Sequence, residues 1–145
     1  MADRTDAPRQ EVAGGSRGTQ GDCLTLGVDT SVLNRAARSD CTILITGETG
    51  VGKGFLARWI HDHSARPADR LVSVNCGAIP ESLIDSQLFG HVRGSFSGAT
   101  RDHLGFVRAA EHGTLFLDEV SELPPTAQTR LLRLLQDREV QPVGH

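Results

Sequence analysis

Thr42-Ile43-Leu44-Ile45-Thr46-Gly47-Glu48-Thr49-Gly50-Val51-Gly52-Lys53-Gly54 is the stretch whose reading decides the fold. Its first residues are apolar and largely β-branched, which predicts a short buried strand. A glycine-rich turn, Gly47 to Lys53, follows at once, and Phe55-Leu56 and Trp59-Ile60 then resume at helical spacing. Strand, glycine-rich turn and helix in that order form the setting of a phosphate-binding loop. Glycines let the backbone curl so that successive N–H groups face the phosphates, and the helix N-terminus adds its positive dipole. Lys53 would reach the outer phosphates as a compact, mobile charge. Among fifteen Lys and Arg residues it is the one lysine. Gly54 stands where the general motif has a hydroxyl for magnesium, so the metal would need another ligand. The competing reading is an ordinary glycine-rich turn between a strand and a helix.

Outward from that loop, Gly113-Thr114-Leu115-Phe116-Leu117-Asp118-Glu119 is apolar along its length and ends in two acids. This is the pattern of a buried parallel strand that delivers carboxylates to its carboxyl end. In a nucleotide-hydrolysing site Asp118 would hold magnesium and Glu119 would polarise the attacking water. Two adjacent acids carry little information alone; with a phosphate loop upstream they carry much more. Leu71-Val72-Ser73-Val74-Asn75 predicts a further strand.

Helices are expected at four places besides the one after Lys53. Asp29-Thr30-Ser31 can cap the first, with Val32, Leu33, Ala36 and Ala37 on its apolar side. Pro80-Glu81 opens another, bearing Leu83, Ile84, Leu88 and Phe89. A short one is expected over 105–112. The last starts at Leu123-Pro124-Pro125, with Leu131, Leu132, Leu134 and Leu135 toward the core. His61-Asp62-His63 lies at the end of the helix after Lys53. Its histidines do not share a helix face, so a solvated terminus is preferred to a metal site. Glu139 to Val143 reads as the start of another strand. This alternation of buried strands and helices predicts an α/β P-loop NTPase core, a parallel sheet with helices on both faces.

Composition sets outer bounds. The 145 residues make one domain, and 38% hydrophobic with 23% charged content suits a soluble globular fold. A net charge of -3 without a basic stripe gives no electrostatic support for direct DNA binding. No run is long and apolar enough for a membrane span. Cys23, Cys41 and Cys76 are odd in number and lack metal-ligand spacing, which suits reduced thiols in the cytoplasm. Residues 1–22 are polar and glycine-rich and are expected to be a disordered tail or linker ahead of a domain over 23–145.

Phe89-Gly90-His91-Val92-Arg93-Gly94-Ser95-Phe96-Ser97-Gly98-Ala99 breaks every periodicity. An aromatic among glycines and serines is either a plain surface loop or a contact point for another macromolecule.

Together these residues resemble the AAA+ ATPase domain of bacterial sigma-54-dependent transcription activators. Gly47 to Lys53 is similar to its Walker A motif and Gly113 to Glu119 to its Walker B motif. Leu88-Phe89-Gly90-His91 with Gly94-Ser95-Phe96-Ser97-Gly98-Ala99 resembles the family's G-A-F-T-G-A loop, which separates it from other AAA+ proteins. The resemblance spans about residues 24 to 145. It implies ATP and Mg2+ as cofactors, a ring hexamer, and remodelling of the sigma-54 RNA polymerase closed complex. On that basis Gly47, Glu48, Thr49, Gly50, Val51, Gly52, Lys53 and Gly54 would bind ATP and Asp118 the magnesium. Glu119 would be the catalytic base, and Asn75 the switch residue that restrains it; an amide can do so without neutralising a carboxylate. Gly94, Ser95, Phe96, Ser97, Gly98 and Ala99 would contact sigma-54.

This sequence departs from the family in places. Gly54 replaces the usual Glu, Gln87 an acid, and Ser95 and Ser97 replace Ala and Thr. The lost methyl at Ser97 would remove about 0.8 kcal/mol of apolar contact if that position is buried against sigma-54. The resemblance stops before the family's first sensor, arginine fingers and helical lid. An arginine finger contributes a factor of about 10³ to 10⁵ in phosphoryl transfer, so turnover by this chain alone is expected to be nearly lost. The expectation is therefore an ATPase module in truncated form. The alternatives are a non-catalytic binder that keeps nucleotide or sigma-54 contact, and an unrelated P-loop enzyme such as a small kinase.

Overall fold

The computed structural model describes residues 28–144. The tail expected over 1–22, and Cys23, lie outside the described residues. Helix α1 spans Thr30–Ala37. The Asp29 carboxylate starts it by accepting from the Ser31 backbone N–H at 2.8 Å. Hydrogen bonds from Ser31 hold that carboxyl below its usual range, with a smaller contribution from the Arg35 charge. Helix α2 spans Lys53–Asp62 and closes on His63 before Pro67 can disrupt it. Leu33 and Ala37 of α1 pack on Leu56, Trp59 and Ile60 of α2, with Ile45 alongside.

Two strands pair in parallel, β1 over Leu71–Asn75 and β2 over Thr114–Asp118. Between them lie helix α3, Glu81–Phe89, and helix α4, Phe106–Ala109; helix α5, Pro125–Asp137, follows. Side chains alternate across the sheet, so one face of β2 carries Leu115 and Leu117 and the other Thr114, Phe116 and Asp118. Leu115 and Leu117 join Val72 and Val74 in a core with Ile84, Leu88, Phe89, Leu123 and Ala127. On the opposite face, Thr114 bonds His61 of α2 at 2.9 Å. The α/β reading with helices on both faces of a parallel sheet therefore stands.

Four local expectations are corrected. Residues 42–46 form no strand ladder, and Leu44 is 77% exposed. The pattern there records β propensity, but a strand exists only by sharing backbone hydrogen bonds with a neighbour. Among the described residues the sheet is β1 and β2 alone, and no strand pairs with 42–46. The strand expected over 139–143 is reduced to a single bridge between Val143 and His91. On α5, Leu131 and Leu134 pack against the core, whereas Leu132 and Leu135 are exposed. Four leucines within five residues span more than one helical stripe, so not all can face one core. Lastly, His61 is not solvated: it is 1% exposed.

Candidate nucleotide site and partner loop

The parallel register sets the site. Asn75 and Asp118 are paired at the carboxyl ends of β1 and β2. Asp118 is held by the next residue, its Oδ1 accepting from the Glu119 N–H at 2.9 Å. Glu119 turns the chain sharply with φ 51°, in the left-handed region that a side chain adopts at a cost. Its carboxylate then lies over Gly77, where an added Cβ would collide with Oε2. Asn75 Oδ1 accepts from the N–H groups of Gly77 and Ala78 at 2.9 and 3.2 Å, capping the 76–78 turn. The Asn75 carbonyl oxygen is thus spent on the backbone. The amide NH2 is the part left to reach a carboxylate.

The glycine-rich loop approaches from the other side. Gly50 and Gly52 have φ of 80° and 103°, and Gly52 immediately precedes α2. Nothing lies within 4 Å of a Cβ built at Gly50, so that backbone is open to close approach. Lys53 folds back over the loop, donating to the carbonyls of Gly47 and Glu48 at 2.8 Å each. Thr49, Gly50, Gly52, Lys53 and Gly54 share a cavity of about 240 Å³ with Asp118 and Glu119. The fold therefore brings the two acidic candidates to the one lysine. Glu48 and Val51 belong to the same turn, closed by a Val51 N–H to Glu48 carbonyl bond of 3.3 Å. A Cβ at Gly54 would meet Phe116 at an ordinary 3.8 Å, so glycine is not sterically required there.

These residues fit a magnesium nucleotide. Magnesium takes oxygen ligands and is usually held by one or two carboxylates plus phosphates, which Asp118 suits. Among the described residues no cluster of three metal-ligating side chains occurs.

Residues 90–99 form a folded loop rather than an open one. His91 and His103 exchange backbone hydrogen bonds of 3.0 and 2.9 Å, and Val143 donates to the Gly90 carbonyl at 2.9 Å. Within the loop Gly94 donates to the Ala99 carbonyl at 2.8 Å, and Ala99 to that of Phe96 at 3.1 Å. Positive φ at Gly94 and Gly98 makes those turns possible, and Ala99 is buried beneath them. Phe96 remains 40% exposed, with Ser97 and Gly98 beside it at the surface. The Ser95 hydroxyl is buried without a partner, a cost that alanine would not incur.

A profile of the Sigma-54 interaction domain matches residues 25–145. The chain belongs to that family. It is 53% identical over 127 residues to the regulatory protein LuxO of Vibrio cholerae, covering 88% of this chain and 23% of that one. To the transcriptional regulatory protein GlrR of Escherichia coli it is 49% identical over 108 residues, covering 74% and 24%. A crystal structure of NtrX from Brucella abortus in complex with ATP superposes with a TM-score of 0.68 at 32% identity, covering 88% of this chain and 26% of that one. The chain thus spans about a quarter of the length of these relatives.

Within this sigma-54 interaction domain, three site residues escape sequence reasoning. His61 braces α2 against β2 through Thr114, and its Nε2 faces the Ala68 carbonyl at 3.4 Å. Since a carbonyl can only accept, Nε2 carries the proton there. Gly77 leaves room for the Glu119 carboxylate. Cys76 is buried beside the acids; burial pushes its thiol up, and the Asp118 and Glu119 charges add to it. An Asn followed by small residues is a turn signal that could have revealed the Asn75 cap. No local pattern marks the other three. Among the described residues no helix is long and apolar enough to cross a membrane.

Proposed function

We propose that this domain binds ATP with Mg2+ and couples its hydrolysis to remodelling of the sigma-54 RNA polymerase closed complex. The observation that carries the reading is the shared cavity of Lys53, Asp118 and Glu119. Lys53 would exchange its two loop carbonyls for phosphate oxygens, a stronger charge-assisted partner. Asp118 would hold the magnesium, which neutralises phosphate charge when bound. Glu119 would take the proton of the attacking water, and the Asn75 amide would restrain it until nucleotide is in place.

The half-exposed Phe96 and its neighbours Gly94, Ser95, Ser97, Gly98 and Ala99 would form the sigma-54 contact. The setting is cytoplasmic, and the domain acts within a ring hexamer. With a net charge of -3 it does not itself bind DNA. A second reading, nucleotide and sigma-54 binding without turnover, is favoured by one observation. Lys53 is the only cation among the residues lining the cavity, so a transition-state cation would have to come from elsewhere.

Capture of sigma-54 holoenzyme by the domain, with Mg-ATP and with a transition-state analogue, tests the reading. Retention that requires nucleotide and disappears in Phe96→Ala supports it. Equal retention by Phe96→Ala would overturn the partner assignment.

A further inference from the structure

We propose that His91 is a positioning residue for the Phe96 loop: anchored by Ser86 on α3, its imidazole is the surface on which Phe96 rests. The proposal builds on the partner-loop reading above and identifies what holds that loop in place.

Three observations converge on His91. Its Nδ1 lies 2.7 Å from the Ser86 Oγ. Ser86 is itself buried on α3, so the bond reaches a rigid part of the core. The ring then meets Phe96 edge-on, with centroids 5.0 Å apart and planes at 66°, a favourable aromatic geometry. Third, the His91 backbone is fixed by its two bonds to His103, and the flanking residues by those to Val143. The Phe96 backbone is held by the Ala99 N–H, which donates to its carbonyl at 3.1 Å, while its ring meets His91.

The contrast with His61 separates this from a histidine that merely fills a core. His61 is fully buried with both ring nitrogens facing partners. His91 is half-buried, with Nδ1 on the helix and its ring in a T-shaped contact with Phe96 at the loop tip.

The test uses the full chain without nucleotide, with 4-fluorophenylalanine placed at position 96 alone. Fluorine NMR reads the environment of the ring, and amide exchange reads residues 94–97. His91→Asn keeps a hydrogen-bonding atom near Ser86 and removes the ring. It should move the fluorine resonance to its solvent-exposed position and speed exchange across 94–97 by about tenfold. Ser86→Ala, a mild change inside a helix, should shift both readings in the same direction by less. An unchanged resonance and unchanged exchange in both variants would overturn the proposal; if His91→Asn does not fold, Ser86→Ala alone decides. Because no ATP or sigma-54 is present, this outcome is independent of the capture experiment with Phe96→Ala. That experiment can fail while the His91 anchor stands, and the reverse.

Discussion

Asn75 and Asp118 sit side by side on the last rung of a parallel ladder, although the chain between them makes two helices and the Phe96 loop. That rung fixes where the acid of β2 stands relative to the turn capped by Asn75, and so where Glu119 must go. Glu119 adopts a left-handed backbone and lays its carboxylate over Gly77. Strain held at a candidate catalytic residue is a common bargain between stability and function.

Glu119→Gly should therefore stabilise the fold while removing the proposed base. Relief of the left-handed backbone is worth about 1 kcal/mol. The urea midpoint should rise at an unchanged slope, and ATP binding should persist. A lower midpoint would show that the Glu119 side chain stabilises more than its backbone costs.

The brace between α2 and β2 makes a second prediction. Thr114→Val removes the hydroxyl and leaves the buried His61 Nδ1 without its partner, at a cost of about 1–3 kcal/mol. Thr114→Ser keeps the hydroxyl and should cost clearly less. Equal urea midpoints for the two variants would mean that the hydrogen bond contributes nothing.

Cys76 makes the stability pH-dependent. Its folded-state pKa lies above the ordinary 9.0, through burial first and the charges of Asp118 and Glu119 second. A raised pKa means that the folded state holds the proton more tightly. This contribution is complete below about pH 9 and is lost as pH rises through the folded value. Denaturation midpoints should fall above pH 9 in the parent and fall less in Cys76→Ser. Alkylation near pH 8 should mark the exposed Cys41 well before Cys76.

Leu44 offers a surface test. At 77% exposure its replacement by Lys should change stability by no more than about 0.5 kcal/mol. Ile43, Leu44 and Ile45 lie along an unpaired stretch, which is a template for self-association. Leu44→Lys should reduce concentration-dependent light scattering. A loss of several kcal/mol would mean that Leu44 is buried in solution, as the sequence pattern first suggests.

What the sequence made legible follows a physical division. Leu71–Asn75 and Thr114–Asp118 were readable because both strands are apolar, and each finds its partner in the other. The Lys53 loop was readable because its glycines answer a local backbone requirement. Residues 42–46 look the same locally, yet their state depends on a neighbouring strand, which propensity does not encode. The burial of His61 is not legible, because the group that satisfies its ring, Thr114, is distant in sequence. The Phe96 loop was visible as an interruption, but its resting place on His91 is a tertiary fact.

The central claim is that Lys53 and the β2 acids form a nucleotide site, and calorimetric titration of the 145-residue chain with Mg-ATP tests it most directly. The expected result is a saturable one-to-one isotherm that disappears in a folded Lys53→Ala variant. An isotherm unchanged in Lys53→Ala, or no binding by a parent shown to be folded, would contradict it.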